Sequence, residues 1–126
     1  MPLENVTSNS QTSPLLALST SEADRGRVES AMHAAVVTPD AYLTEIASHL
    51  IVAGGKRLRP VLSTVAAQIG GQAASDDVVR GGVSCELVHL GSLYHDDVMD
   101  EATMRRGATS ANARWDNTVA ILTGDF

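Results

Sequence analysis

The stretch YHDDVMDEATMRRG, Tyr94 to Gly107, concentrates the groups in this chain that can do chemistry. Asp96 and Asp100 stand four positions apart, so on a helix their carboxylates share one face about one turn apart. Like charges at that spacing repel by about a few tenths of a kcal/mol on an exposed helix. A divalent cation removes that cost and rewards the pair. Oxygen donors with no cysteine among them indicate Mg2+ rather than Zn2+, and Mg2+ takes one or two carboxylates and completes its shell with water and substrate phosphates. Asp97 lies about 100° around the helix and is expected behind the pair rather than in it. A DxxxD pair by itself is more often a solvated acidic helix end. His89, seven residues before Asp96, falls on the same stripe, which favours a phosphate or metal neighbourhood over ligation by the imidazole itself.

Two basic clusters complement the carboxylates. GGKRLRP places Lys56, Arg57 and Arg59 between a glycine pair and Pro60. The glycines allow close backbone approach to a ligand. A helix starting at Pro60 would present free N–H groups and the positive end of its dipole to an anion. Lys supplies a point charge and Arg a planar fork that grips phosphate bidentately. The spacing is not that of a nucleotide P-loop, and an ordinary basic loop is the plain alternative. Arg105-Arg106-Gly107, taken alone, reads as a helix C-terminus complementing its dipole. Together, the two basic clusters, the metal-type carboxylate pair and the aligned histidine describe a site for two phosphorylated ligands. One would be bridged to the aspartates by Mg2+ and the other held directly by Lys and Arg. No nucleophilic Ser, Cys or Lys is required, because a metal-bound diphosphate is a competent leaving group.

Helices must position these groups. Residues 1–20 are rich in Ser, Thr, Asn and Pro and are expected to form a mobile tail, leaving 21–126 as the folded part. Ser21 is an expected N-cap, followed by Val28, Met32, Ala35 and Val36 at helical spacing. Thr38-Pro39 is expected to restart the chain into a helix near 39–53 with Tyr42, Leu43, Ile46, Leu50 and Val52 inward, ended by Gly54-Gly55. A third helix is expected near 60–69, and a long fourth near 76–102 with Ser75 as cap and Asp76 and Asp77 in its first turn. Short helices near 110–116 and 117–125 follow. No period-two alternation is sustained, so the predicted class is all-α.

Composition agrees. Hydrophobic residues make up 44% but aromatics only 3%, which suits helix packing rather than a β-sandwich. The net charge of −6 argues against nucleic acid as a partner. A single cysteine, Cys85, excludes a disulfide framework and fits a reducing compartment. With no apolar run of roughly 20 residues and no basic-then-apolar N-terminus, the expected localisation is cytoplasmic. The apolar final segment TVAILTGDF breaks off in mid-pattern, so the chain is expected to be the N-terminal part of a larger helical domain.

GGKRLRP, ELVHLGSLYHDDVMDEATMRRG and NTVAILTGDF, in that order, resemble the trans-isoprenyl diphosphate synthases of the polyprenyl synthetase family, from about residue 40 onward. The resemblance implies an all-α prenyltransferase bundle, a homodimer, and a Mg2+-dependent head-to-tail condensation of isopentenyl diphosphate with an allylic diphosphate. Carried over by motif, Asp96 and Asp100 would bind Mg2+, and Arg105 would contact the allylic diphosphate. Lys56, Arg59, His89 and Arg106 would bind isopentenyl diphosphate, with Arg57 a supporting charge. Gly91 and Ser92 occupy positions where bulky residues in the family shorten the product. Being small, they imply a medium- or long-chain all-trans product. The family's second aspartate-rich motif is absent from these residues, so the chain alone is expected to be inactive. The alternative is a non-catalytic dimerisation or regulatory partner of such a synthase.

Overall fold

The computed structural model of the chain describes residues 22–126, excluding the side chain of Glu22; the expected tail and the Ser21 cap lie outside the described residues. The predicted all-α class holds. The order is α1 (Glu22–Ala35), α2 (Ala41–Val52), α3 (Leu58–Ile69), α4 (Asp76–Met99), a small hairpin of β1 (Met104–Arg105) and β2 (Ala108–Thr109), α5 (Ala111–Arg114) and α6 (Asn117–Asp125).

Helix α4 is the axis of the molecule, with α3, α6 and α1 packed against it. Val79, Val83, Glu86, Leu90, Leu93 and Asp97 are its buried line, alternating four and three residues apart as a helix stripe should. The apolar members meet Val28, Met32 and Val36 of α1, Ala47, Leu50 and Ile51 of α2, and Ala120 of α6 in one core. Each of the Val, Leu, Ile and Met side chains contributes about 1.5–3 kcal/mol by leaving water. Tyr94 ties α4 to α2: its hydroxyl donates to the Ile46 carbonyl at 2.8 Å and accepts from the Leu50 N–H at 3.3 Å. Burial pushes the phenol up to about 12.

Ser75 caps α4 as expected, accepting from the Val78 N–H, and Gly54 ends α2 at φ 92°. Three boundaries differ from expectation. Helix α2 is capped by Asp40 rather than Thr38, because the Asp40 carboxylate accepts from both Tyr42 and Leu43 N–H groups while the Thr38 hydroxyl is engaged with Asp40 and Thr44. Helix α3 starts at Leu58, so Pro60 sits inside its first turn, where no N–H is needed. Helix α4 stops at Met99 rather than near 102. Glu101 turns left-handed at φ 51°, and the N–H groups of Ala102 and Glu101 return to the carbonyls of Asp97 and Val98. Tyr42 and Val52, expected inward, are 55% and 73% exposed.

Candidate diphosphate and metal site

Near its C-terminal end α4 divides the charged groups into an acidic and a basic pole. At the acidic pole the regular helix sets the geometry. Asp96 is partly exposed and Asp100 exposed, one turn apart. Neither enters an ion pair or side-chain hydrogen bond among the described residues. Asp97 points the other way. It is 1% exposed and accepts from Arg105 through Nε at 3.0 Å and Nη2 at 2.5 Å. That pairing raises the Arg105 pKa, and the charges of Asp96 and Asp100 add to it. Arg105 therefore stands beside all three aspartates with Nη1 uncommitted to Asp97.

Arg105 is delivered by the hairpin, which sequence patterning did not reveal. Its strands are two residues each, with Met104 opposite Thr109 and Arg105 opposite Ala108. Arg106 at φ 52° and Gly107 at φ 76° make the turn, both left-handed as a tight two-residue hairpin demands. RRG is thus a hairpin corner and not a helix C-terminus. Asn112 and Ser110 fasten it to the end of α4 by donating to the Ala102 carbonyl at 2.9 and 2.7 Å.

The same corner sends Arg106 to the basic pole. Its Nη1 donates to the Gly54 carbonyl at 2.5 Å, across 52 positions of sequence. The passage exists because residue 55 has no side chain: a Cβ there would lie 2.7 Å from Arg106 Nη1. Burial and the neighbouring Arg57 lower the Arg106 pKa. His89 lies in the same group: burial, then the Arg59 charge, hold its imidazole below the usual range, with smaller contributions from Arg106 and Arg105 in the same direction. Lys56, exposed, follows Gly55 in the chain, and Arg59 is half-exposed. The structure thus gathers Arg59, His89 and Arg106, with Lys56 at their edge.

Arg57 lies beside Arg106 but is committed to the fold. It adopts φ 52°, is buried, and binds Glu29 of α1 through Nε at 2.5 Å and the Ile51 carbonyl through Nη2 at 2.8 Å. Its place is in the join of α1, α2 and α3. Of the two small residues before the aspartates, Ser92 is exposed on the face of Asp96, one turn back, with Val88 and Cys85 continuing that line. Gly91 is not on it. A Cβ there would meet the Gly124 carbonyl oxygen of α6 at 2.8 Å, so Gly91 permits backbone-to-backbone packing. Gly124 is equally constrained. A Cβ on it would lie 2.9 Å from the Gly91 carbonyl oxygen and collide with the His95 ring, whose Nε2 is 3.0 Å from the Ile121 carbonyl.

Two carboxylates escaped the sequence reading. Glu29 partners Arg57, and Glu86 lies fully buried beneath Arg59, with Oε2 at 3.6 Å from Arg59 Nη1. Glu86 had a signal: with Asp97 it is one of two charged members of an otherwise apolar α4 line.

Among the described residues, no group of three or more His, Cys, Asp or Glu is gathered as a metal site. Asp96 and Asp100 instead offer two uncommitted carboxylates, an oxygen-only set that fits Mg2+ completed by water and phosphate. The arrangement can hold one diphosphate through a cation and Arg105, and a second on the basic pole.

Residues 40–126 match the Polyprenyl synthetase family. The nonaprenyl diphosphate synthase of Mycobacterium tuberculosis is 50% identical over 100 residues, covering 79% of this chain and 30% of the relative. The decaprenyl diphosphate synthase structure of Rhodobacter capsulatus superposes with a TM-score of 0.78 at 38% identity, covering 89% of this chain and 35% of that one. A polyprenyl synthase of Caulobacter crescentus, solved with calcium and isoprenyl diphosphate, gives a TM-score of 0.75 at 37% identity over 88% of this chain and 33% of that one. The chain spans about a third of the length of these relatives. Sequence and architecture agree: the chain belongs to the polyprenyl synthetase family.

Proposed function

We propose that the full-length protein condenses isopentenyl diphosphate with an allylic prenyl diphosphate to make an all-trans polyprenyl diphosphate longer than farnesyl. The observation that carries this reading is the pair of poles: uncommitted carboxylates on one side of the RRG corner and a gathered set of cations on the other. Asp96 and Asp100 would hold Mg2+, which supplies charge neutralisation for the departing diphosphate. Arg105, already oriented by Asp97, would offer Nη1 to the allylic diphosphate. Lys56, Arg59, His89 and Arg106 would hold isopentenyl diphosphate so that its double bond faces the allylic carbon. Such positioning removes part of the entropic barrier to bringing two substrates together. Ser92 would leave the path of the growing tail open.

No helix among the described residues is long and apolar enough to cross a membrane. The exposed Val52, Leu62, Ile69 and Leu122 support packing against further protein surface, with a homodimer as the proposed assembly. The test is incubation of the full-length protein with labelled isopentenyl diphosphate, farnesyl diphosphate and Mg2+, followed by chromatography of the dephosphorylated products. Chains beyond fifteen carbons are expected; product no longer than farnesyl, or none, refutes the reading.

A further inference from the structure

Of the arginines at the two poles, Arg57, Arg59 and Arg105 each have a carboxylate partner, and one pair differs from the others. Arg57 is closed onto Glu29 and Arg105 onto Asp97, each with a hydrogen bond of 2.5 Å. Arg59 and Glu86 stand 3.6 Å apart, too far for a hydrogen bond. Glu86 is 1% exposed, and its Oε2 has no hydrogen-bond partner. A buried carboxylate left in that state needs a reason, because an ion pair without a hydrogen bond offsets its desolvation only in part.

The surroundings supply one. Glu86 faces Arg59 directly, and its charge acts favourably on the cationic forms of both His89 and Arg106, while Arg59 acts against them. Glu86 is thus a counter-charge for a cluster of like charges that would otherwise repel. Arg59 is half-exposed and carries five N–H donors, enough to serve a carboxylate below and a phosphate above at once.

We propose that Glu86 is a positioning residue for the basic pole. Its unpartnered oxygen takes up Arg59 as an anion settles on the outer side of the guanidinium, which fixes the fork toward the diphosphate. This rests on the reading that the basic pole binds isopentenyl diphosphate. Glu86 touches no substrate; it acts through Arg59.

The experiment uses the full-length protein and Glu86→Gln, which keeps the shape and removes the charge. Isopentenyl diphosphate is titrated by calorimetry in EDTA, and steady-state constants are measured with Mg2+. The dissociation constant and the KM for isopentenyl diphosphate are expected to rise about tenfold. The KM for the allylic substrate and kcat should stay within about twofold. In an Arg59→Gln background, Glu86→Gln should add less than about twofold, because the contact is already gone. A purely structural carboxylate would lower Tm and shift both KM values together, which overturns the proposal. Should Glu86→Gln not fold, Glu86→Asp withdraws the charge by one methylene and is expected to raise the same constant; an unchanged constant in a folded variant also overturns it. If wild type binds isopentenyl diphosphate but makes no polyprenyl product, the functional reading falls while the binding comparison still decides Glu86. If wild type makes product and the variants bind equally, the Glu86 assignment alone fails.

Discussion

The two poles of α4 solve the same problem in different ways. At the acidic pole one element sorts the carboxylates: helical periodicity separates Asp97, which turns inward to Arg105 of the hairpin, from Asp96 and Asp100, which remain open. At the basic pole the separation needs four segments. Arg57 turns inward to Glu29, and Arg59, His89 and Arg106 arrive from α3, α4 and the hairpin corner. In the acidic cluster Asp97 is committed to the fold and its neighbours stay open; in the basic cluster Arg57 is committed most fully, while Arg106 gives one donor to Gly54 and Arg59 faces Glu86. The contrast teaches that a cluster of like charges is not a uniform reagent: burial decides which member is structural.

The sharpest way to break this contrast is at the acidic pole. Asp96→Asn or Asp100→Asn in the full-length protein should depress kcat by about 10²–10³-fold with little change in melting temperature. Asp97→Ala, one position away, should instead cost about 3–5 kcal/mol of stability by stranding Arg105. Thermal melts beside turnover assays separate the two, and near wild-type kcat in either Asn variant contradicts the metal role.

At the basic pole the expected effects are smaller and divide by substrate. Lys56→Ala and Arg59→Ala should raise the KM for isopentenyl diphosphate about 10–150-fold, as loss of a charge-assisted phosphate contact does. Arg105→Ala should act on the allylic KM. Arg57→Ala should change stability more than either. Equal movement of both KM values in all these variants would erase the distinction between the clusters.

A pH titration probes the basic pole more gently. Burial and Arg59 hold His89 below its ordinary range, so the free folded protein binds fewer protons there than the unfolded chain. Its stability therefore falls as pH drops through and below about 6.5. A bound diphosphate favours the imidazolium and raises that pKa. Affinity for isopentenyl diphosphate should therefore rise over the same acid interval, with proton uptake on binding. Calorimetry in buffers of different ionisation enthalpy should detect this uptake, and His89→Gln should lack it once the ligand's own ionisation is subtracted. Identical proton uptake in the two proteins would remove His89 from the pole.

The smallest expected effect on rate belongs to Ser92→Phe, on the open face one turn before Asp96. It should shorten the product while the rate of the first condensation stays within about threefold. Unchanged chain length in an active variant would deny that this face guides the tail.

Much of the acidic pole was legible in the sequence, because spacing on a helix is geometry. Ser75 and the glycines after α2 and α3 likewise announced helix ends by local chemistry. The ending at Met99 was not legible: Glu101, which carries a Cβ, takes a conformation usually left to glycine. The hairpin was hidden because two-residue strands are too short to show alternation. At the basic pole the residue types were visible, but their division was not. Nothing local distinguishes Arg57 from Arg59; the difference is made by Glu29 and Glu86, 28 positions before the one and 27 after the other.

The seam of Gly91 against Gly124 bears on how this molecule can vary. Both residues are already the smallest available, so any replacement adds volume, and the atoms met at Gly91 are backbone that cannot swing aside. Mutational drift at the seam has one direction only, outward. At position 124 the first group displaced is the His95 ring, whose residue directly precedes Asp96. Tolerance to mutation should therefore be lower at residue 124 than its partly exposed position indicates, and cation affinity should register the damage before the helices come apart.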